Sequence, residues 1–146
     1  MDPQIEIPHA RLQDLERLHD FIDAACRGAG ADDSVAYALA LAVEEASTNI
    51  MVHGYAGAPP GPIALRFHAE PGQITITIAD EARPFSPDSV PPPDLTSDLE
   101  ERKIGGLGWY LIRKMVDEVR HEFKPNGRGN VLTLVKRIGD EKTKAP

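Results

Sequence analysis

The feature that most limits how this chain can fold is an unbroken helical pattern that starts at Asp32 or Asp33, either of which can cap it, and ends at Gly54. Val35, Leu39, Ala42, Ala46 and Ile50 recur at spacings of three and four, which lays an apolar stripe along one helical face. Glu45 and Asn49 are four apart, so they stack at the edge of that stripe rather than opposite it. A carboxylate and an amide at a core margin need partners, and together they offer a proton acceptor and a neutral oxygen ligand for a hard cation. A solvated helix face produces the same pair, so the assignment depends on what the other segments bring.

Upstream, Gln4-Ile5-Glu6-Ile7 alternates and is closed by Pro8, as an edge strand is. Leu15, Leu18, Ile22 and Ala25 repeat at helical spacing from about Leu12 to Arg27, and Gly28 and Gly30 stop them. Downstream, Ile63–His68 and Ile74–Ile78 alternate around the turn residues Glu70-Pro71-Gly72-Gln73 and predict a hairpin. Ile74, Ile76 and Ile78 point into the core and Thr75 and Thr77 away from it, so one face of this sheet is covered. Val119–Lys124 and Val131–Arg137 predict a second hairpin, with Pro125 to Asn130 as its connection.

Between the hairpins, from Glu81 to Ile104, the periodicity vanishes, and Pro84, Pro87, Pro91, Pro92 and Pro93 forbid a continuous helix or central strand. A stretch of about twenty residues without structure inside a compact domain is either functional or disordered. It runs into Gly105-Gly106-Leu107-Gly108, which opens a third helix with Leu107, Leu111 and Met115 on one line and Trp109, Ile112 and Val116 on the next. Glycines at a helix start let phosphate oxygens reach bare backbone N–H groups at the positive end of the helix dipole.

Helices gathered between antiparallel strands predict an α+β, two-layer α/β sandwich, with a mostly antiparallel sheet and the helices on one face. At 146 residues the expectation is a single domain, residues 1–138, with a polar tail at 139–146. With 16 basic against 23 acidic residues the net charge is −7, which lacks the electrostatic footprint of a nucleic-acid binder. The single cysteine, Cys26, excludes an internal disulfide and cannot anchor a zinc site. No run approaches the roughly 18 apolar residues of a membrane span, and Met1 to Ala10 lacks a secretory pattern, so the expected location is the cytoplasm.

Glu45-x-x-x-Asn49 on a helix, Asp80 at the end of a buried strand, the long proline-rich segment and the glycine-rich helix start together resemble the Bergerat-type ATP-binding fold of the gyrase, Hsp90, histidine kinase and MutL (GHKL) superfamily. Residues 45–55 and 105–114 are most similar to the anti-sigma factor serine/threonine kinases of the RsbW and SpoIIAB type, and the likeness extends from about Ile5 to Arg137. That resemblance implies ATP and Mg²⁺ as cofactors and assigns roles. Glu45 is the general base, and Asn49 the Mg²⁺ ligand. Asp80 accepts the adenine amino hydrogen, supported by Thr133. Gly105, Gly106, Leu107 and Gly108 form the phosphate-binding glycine box and residues 86–104 the lid; Lys103 or Arg102 at its hinge is either a phosphate contact or a solvated loop charge. His53 is a helix-end residue that helps to shape the site, with no metal role.

The implied function is an ATP-dependent serine/threonine kinase that binds a sigma factor and phosphorylates an anti-anti-sigma protein of the STAS type in a partner-switching pathway, with a homodimer as the implied assembly. The alternative is an ATP-binding switch module without phosphotransfer. A histidine kinase catalytic half is disfavoured because no helix pair with a phosphoacceptor histidine precedes the domain. One departure bears on the base pocket. Where the family reads Asp-x-Gly-x-(Gly or Pro)-Phe, this chain has Asp80-Glu81-Ala82-Arg83-Pro84-Phe85, which puts Ala82 in the glycine's place beside the pocket residue Phe85. A positive φ there would cost alanine on the order of 1 kcal/mol, and the methyl would crowd the adenine edge.

Overall fold

The computed structural model describes residues 2–89 and 106–139. Lys103, Gly105 and the bulk of the expected lid and tail lie outside the described residues, as does the side chain of Leu107. The chain forms β1 (Gln4–Ile7), α1 (Leu15–Gly28), α2 (Asp33–Asn49), β2 (Ile63–Glu70), β3 (Gln73–Asp80), α3 (Gly106–Met115), β4 (Glu118–Phe123) and β5 (Asn130–Arg137). The five strands make one sheet in the order β1-β2-β3-β5-β4, and every pairing is antiparallel. This is the expected two-layer α+β sandwich.

The periodicities explain the layers. Val35, Leu39, Ala42 and Ala46 of the α2 stripe are buried, as are Leu18, Ile22 and Cys26 of α1 and Trp109 and Ile112 of α3, and with Ile74, Ile76 and Ile78 of β3 they belong to one core cluster. Alternation leaves Thr75, Thr77 and Thr133 on the sheet's other face, where Thr77 and Thr133 are cross-strand partners. α2 starts where capping chemistry predicts: the Asp32 carboxylate accepts from Val35 N at 2.9 Å. With its extension, the α2 helix (Asp33–Gly54, 22 residues) is long and apolar enough to cross a bilayer, but half of the stretch is buried inside the fold, as a core helix is.

The end of α2 departs from a regular helix. From Ile50 to Gly54 the turn widens to π geometry, and Tyr55 N donates to Ile50 O five residues back at 2.9 Å. The widened turn directly follows Asn49. Tyr55 then ties three segments together, because its hydroxyl donates to Pro62 O at 2.7 Å and accepts from Glu81 N at 2.8 Å. Burial pushes this phenol up to about 12, so it stays a donor at any physiological pH. The clamp fixes the chain immediately after Asp80 against both the start of β2 and the end of α2.

Candidate functional site

A cavity of about 220 Å³ opens between the end of α2, the ends of β3 and β5, and α3. Among its lining residues are Asn49, His53, Asp80, Ala82, Phe85 and Trp109. Cavities that hold whole drug-sized ligands run to about 300–1,000 Å³, so the space formed by the described residues suits a heterocycle rather than an entire nucleotide. Asn49, His53, Asp80, Ala82 and Phe85 are all residues that the sequence marked for the site.

At the sheet end, Asp80 is buried at the last position of β3 and its Oδ1 accepts three hydrogen bonds, from Ala82 N at 2.9 Å, Asn130 Nδ2 at 3.0 Å and Asn130 N at 3.2 Å. Those bonds all converge on one oxygen, which leaves Oδ2 as the acceptor for an occupant. The β5 residue that touches Asp80 is therefore Asn130, and Thr133 does not line the cavity. The reason is parity: β5 begins at Asn130, so Asn130, Leu132 and Leu134 face the helices and Thr133 faces the other way. The sequence placed Asn130 in a connection because it ends a run of turn-forming residues, yet it pairs with Phe123 as the first residue of the strand.

Ala82 does not carry the strain expected of it. No residue other than glycine has a positive φ among the described residues, and the Ala82 methyl occupies the space opposite Gly54, where an added Cβ would come within 2.9 Å of it. The methyl that replaces the family's glycine is accommodated by the missing side chain at residue 54. The segment is braced further: Arg83 Nη2 donates to His53 O at 2.9 Å, Asn130 Nδ2 donates to Arg83 O at 3.1 Å, and Asn130 Oδ1 accepts from Phe85 N at 2.9 Å. The Phe85 ring stacks on Trp109 with centroids 5.9 Å apart.

At the helix end, Gly108 in the first turn of α3 lies against α2. A Cβ on Gly108 would meet Asn49 Nδ2 at 3.4 Å and Glu45 Oε1 at 3.5 Å, so Gly108, the amide and the carboxylate form one cluster. Burial, and after it the charge of Glu44, raises the Glu45 carboxyl above its ordinary range. Asn49 Nδ2 is buried with no hydrogen-bond partner among the described residues. A buried donor without an acceptor is costly in a folded protein, and it fits a position that an acceptor atom of a ligand completes. No group of three or more His, Cys, Asp and Glu side chains among the described residues could hold a metal ion.

A family model for the histidine kinase-like ATPase domain matches residues 9–136. The chain belongs to the histidine kinase-like ATPase family. The expected likeness to the anti-sigma kinases within it is borne out. The chain is 30% identical over 86 residues to the serine-protein kinase RsbW of Listeria innocua, which covers 56% of this chain and 55% of that protein. It is 32% identical over 102 residues to the anti-sigma F factor of a Thermoanaerobacter species, which covers 69% of each. The chain thus spans about half the length of the first of these relatives and about two thirds of the second. Among solved structures, the RsbU and RsbW domains of a Mycobacterium tuberculosis protein superpose with a TM-score of 0.64 at 19% identity, over 92% of this chain and 32% of that one. At that identity the likeness establishes a shared histidine kinase-like ATPase fold, in accord with the sheet order and the single helical layer described above.

Proposed function

We propose that this chain is an ATP-dependent serine/threonine protein kinase acting as an anti-sigma factor in the cytoplasm, which binds a sigma factor and phosphorylates an anti-anti-sigma protein. The observation that carries the reading is the cluster of Glu45, Asn49 and Gly108 within reach of a cavity whose far wall is Asp80. The names of the two relatives, a serine-protein kinase and an anti-sigma factor, support the same class of activity.

In this reading the free Asp80 Oδ2 accepts the amino hydrogen of adenine, and the braced residues 81–85 hold the base against Leu132 and Trp109. The amino end of α3 offers backbone N–H groups to the phosphates, where the helix dipole favours negative charge. Asn49 supplies its neutral oxygen to Mg²⁺, which screens the charge of the phosphates when bound. Glu45 accepts the proton of the incoming serine hydroxyl as its oxygen bonds to the terminal phosphorus and ADP leaves. A carboxyl raised by burial is a stronger base than an exposed glutamate, which suits that task.

The test is phosphate transfer to a candidate anti-anti-sigma protein, with nucleotide binding followed in parallel through Trp109, the only tryptophan of the chain. Glu45→Gln should keep its affinity for ATP and lose transfer by about 10²–10⁴-fold. If the unaltered protein transfers no phosphate yet binds its partner in an ATP-dependent manner, the switch-module reading takes the place of the kinase.

A further inference from the structure

His121 was not singled out by its sequence, and it lines the cavity from β4 opposite its cross-strand partner Leu132. Its Nε2 lies 2.9 Å from Asn130 Oδ1. Which atom donates follows from the rest of the network. Asn130 Nδ2 points at two groups that only accept, the Asp80 carboxylate and the Arg83 carbonyl, while Asn130 Oδ1 faces the Phe85 N–H, which only donates. Asn130 Oδ1 is therefore an acceptor, and His121 Nε2 carries the hydrogen. The imidazole ring is fixed on its other side by an edge-on contact with Phe123, centroids 4.6 Å apart at 84°.

We propose that His121 is a positioning residue for the base pocket: it donates to Asn130, Asn130 donates to Asp80, and this chain across β4, β5 and β3 fixes the carboxylate that meets the base. The proposal rests on the reading of Asp80 as the group that recognises the amino edge of a purine. Hydrogen bonds in series polarise one another, so the outer donor strengthens the inner one as well as holding Asn130 in place. Removing His121 leaves no buried acceptor empty, because Phe85 N still donates to Asn130 Oδ1. Its loss should thus loosen Asp80 without unfolding the site.

ATP and inosine triphosphate differ in whether the six-position carries an amino group or an oxygen, so the ratio of their affinities reports on the Asp80 contact. Both are titrated against the intact chain through Trp109 fluorescence, with melting temperatures taken alongside. His121→Phe keeps an aromatic ring against Phe123 but has no donor, and should lower ATP affinity by roughly tenfold while inosine triphosphate binding stays level. His121→Gln keeps a donor and should retain the preference of the unaltered protein within about threefold. Asp80→Asn should abolish the preference. If Asp80→Asn leaves the ratio unchanged, the reading of the pocket fails and the proposal with it. If Asp80→Asn abolishes the ratio but His121→Phe preserves it, or weakens both nucleotides equally, or if His121→Gln behaves like His121→Phe, the pocket stands and the positioning role is overturned.

Discussion

The two ends of the cavity are built on opposite principles. At the sheet end, Asp80, Asn130 and residues 81–85 satisfy one another: Asn130 alone makes hydrogen bonds with Asp80, Arg83, Phe85 and His121. At the helix end, polar groups are left wanting. Both buried side-chain atoms without a partner among the described residues, Ser47 Oγ and Asn49 Nδ2, belong to the last turns of α2, and Glu45 beside them is raised by burial rather than settled by a donor. The difference shows where the fold carries its own stability and where it holds groups ready for something else. The sheet end is internally satisfied; the helix end leaves buried polar atoms without partners among the described residues.

The contrast predicts opposite signs for substitutions at the two ends. The largest effect belongs to Asn130→Leu, which strips Asp80 of a donor and leaves the Arg83 carbonyl and the Phe85 amide unpaired; chemical denaturation should show a loss of about 3 kcal/mol. Asn49→Leu should go the other way. Replacing a buried unpaired amide by an apolar group of similar size should leave the nucleotide-free protein unchanged or more stable by about 1 kcal/mol, with Mg²⁺-dependent binding lost. A destabilisation as large as that of Asn130→Leu would erase the distinction between the two ends.

A smaller effect concerns Glu44. It pairs with His19 of α1, with Nδ1 and Oε1 3.1 Å apart, and its charge is the second cause of the raised Glu45 carboxyl. A general base works deprotonated, so the transfer rate should rise with pH along a limb centred above the ordinary carboxylate range. Glu44→Gln removes a negative neighbour and should move that limb to lower pH, by less than the loss of burial would, because the interaction is screened near the surface. A limb at the same pH in both proteins would show that burial alone sets the basicity of Glu45.

The helix end was legible in the sequence for a physical reason: Glu45, Asn49 and the apolar stripe lie on one helix, and a period of 3.6 residues can be read from the chain alone. Asp80 was equally visible, closing the alternation of Ile74, Ile76 and Ile78. What escaped was the network around it. Asn130 is fifty residues from Asp80 and sits among turn-formers, so nothing local marks it as a strand residue facing the core. Thr133 is three residues further along the same strand, and an odd offset turns its side chain to the other face. The fit between Ala82 and Gly54 also joins distant segments, and without it the alanine reads only as strain. Gly129 is a further case: its φ is +113° and a Cβ there would collide with the Asp80 carbonyl, so only glycine lets the β4–β5 turn pack onto the end of β3, which a turn motif alone does not reveal.

The central claim is that the base is held by the sheet end and the phosphates with Mg²⁺ by the helix end. Calorimetric titration of ATP with and without Mg²⁺ into the unaltered protein, Asp80→Asn and Asn49→Ala tests it most directly. Asp80→Asn should weaken binding under both conditions, whereas Asn49→Ala should match the unaltered protein without Mg²⁺ and lose the gain that Mg²⁺ brings. Undiminished affinity in Asp80→Asn, or a full Mg²⁺ gain in Asn49→Ala, would contradict the division of labour between the two ends.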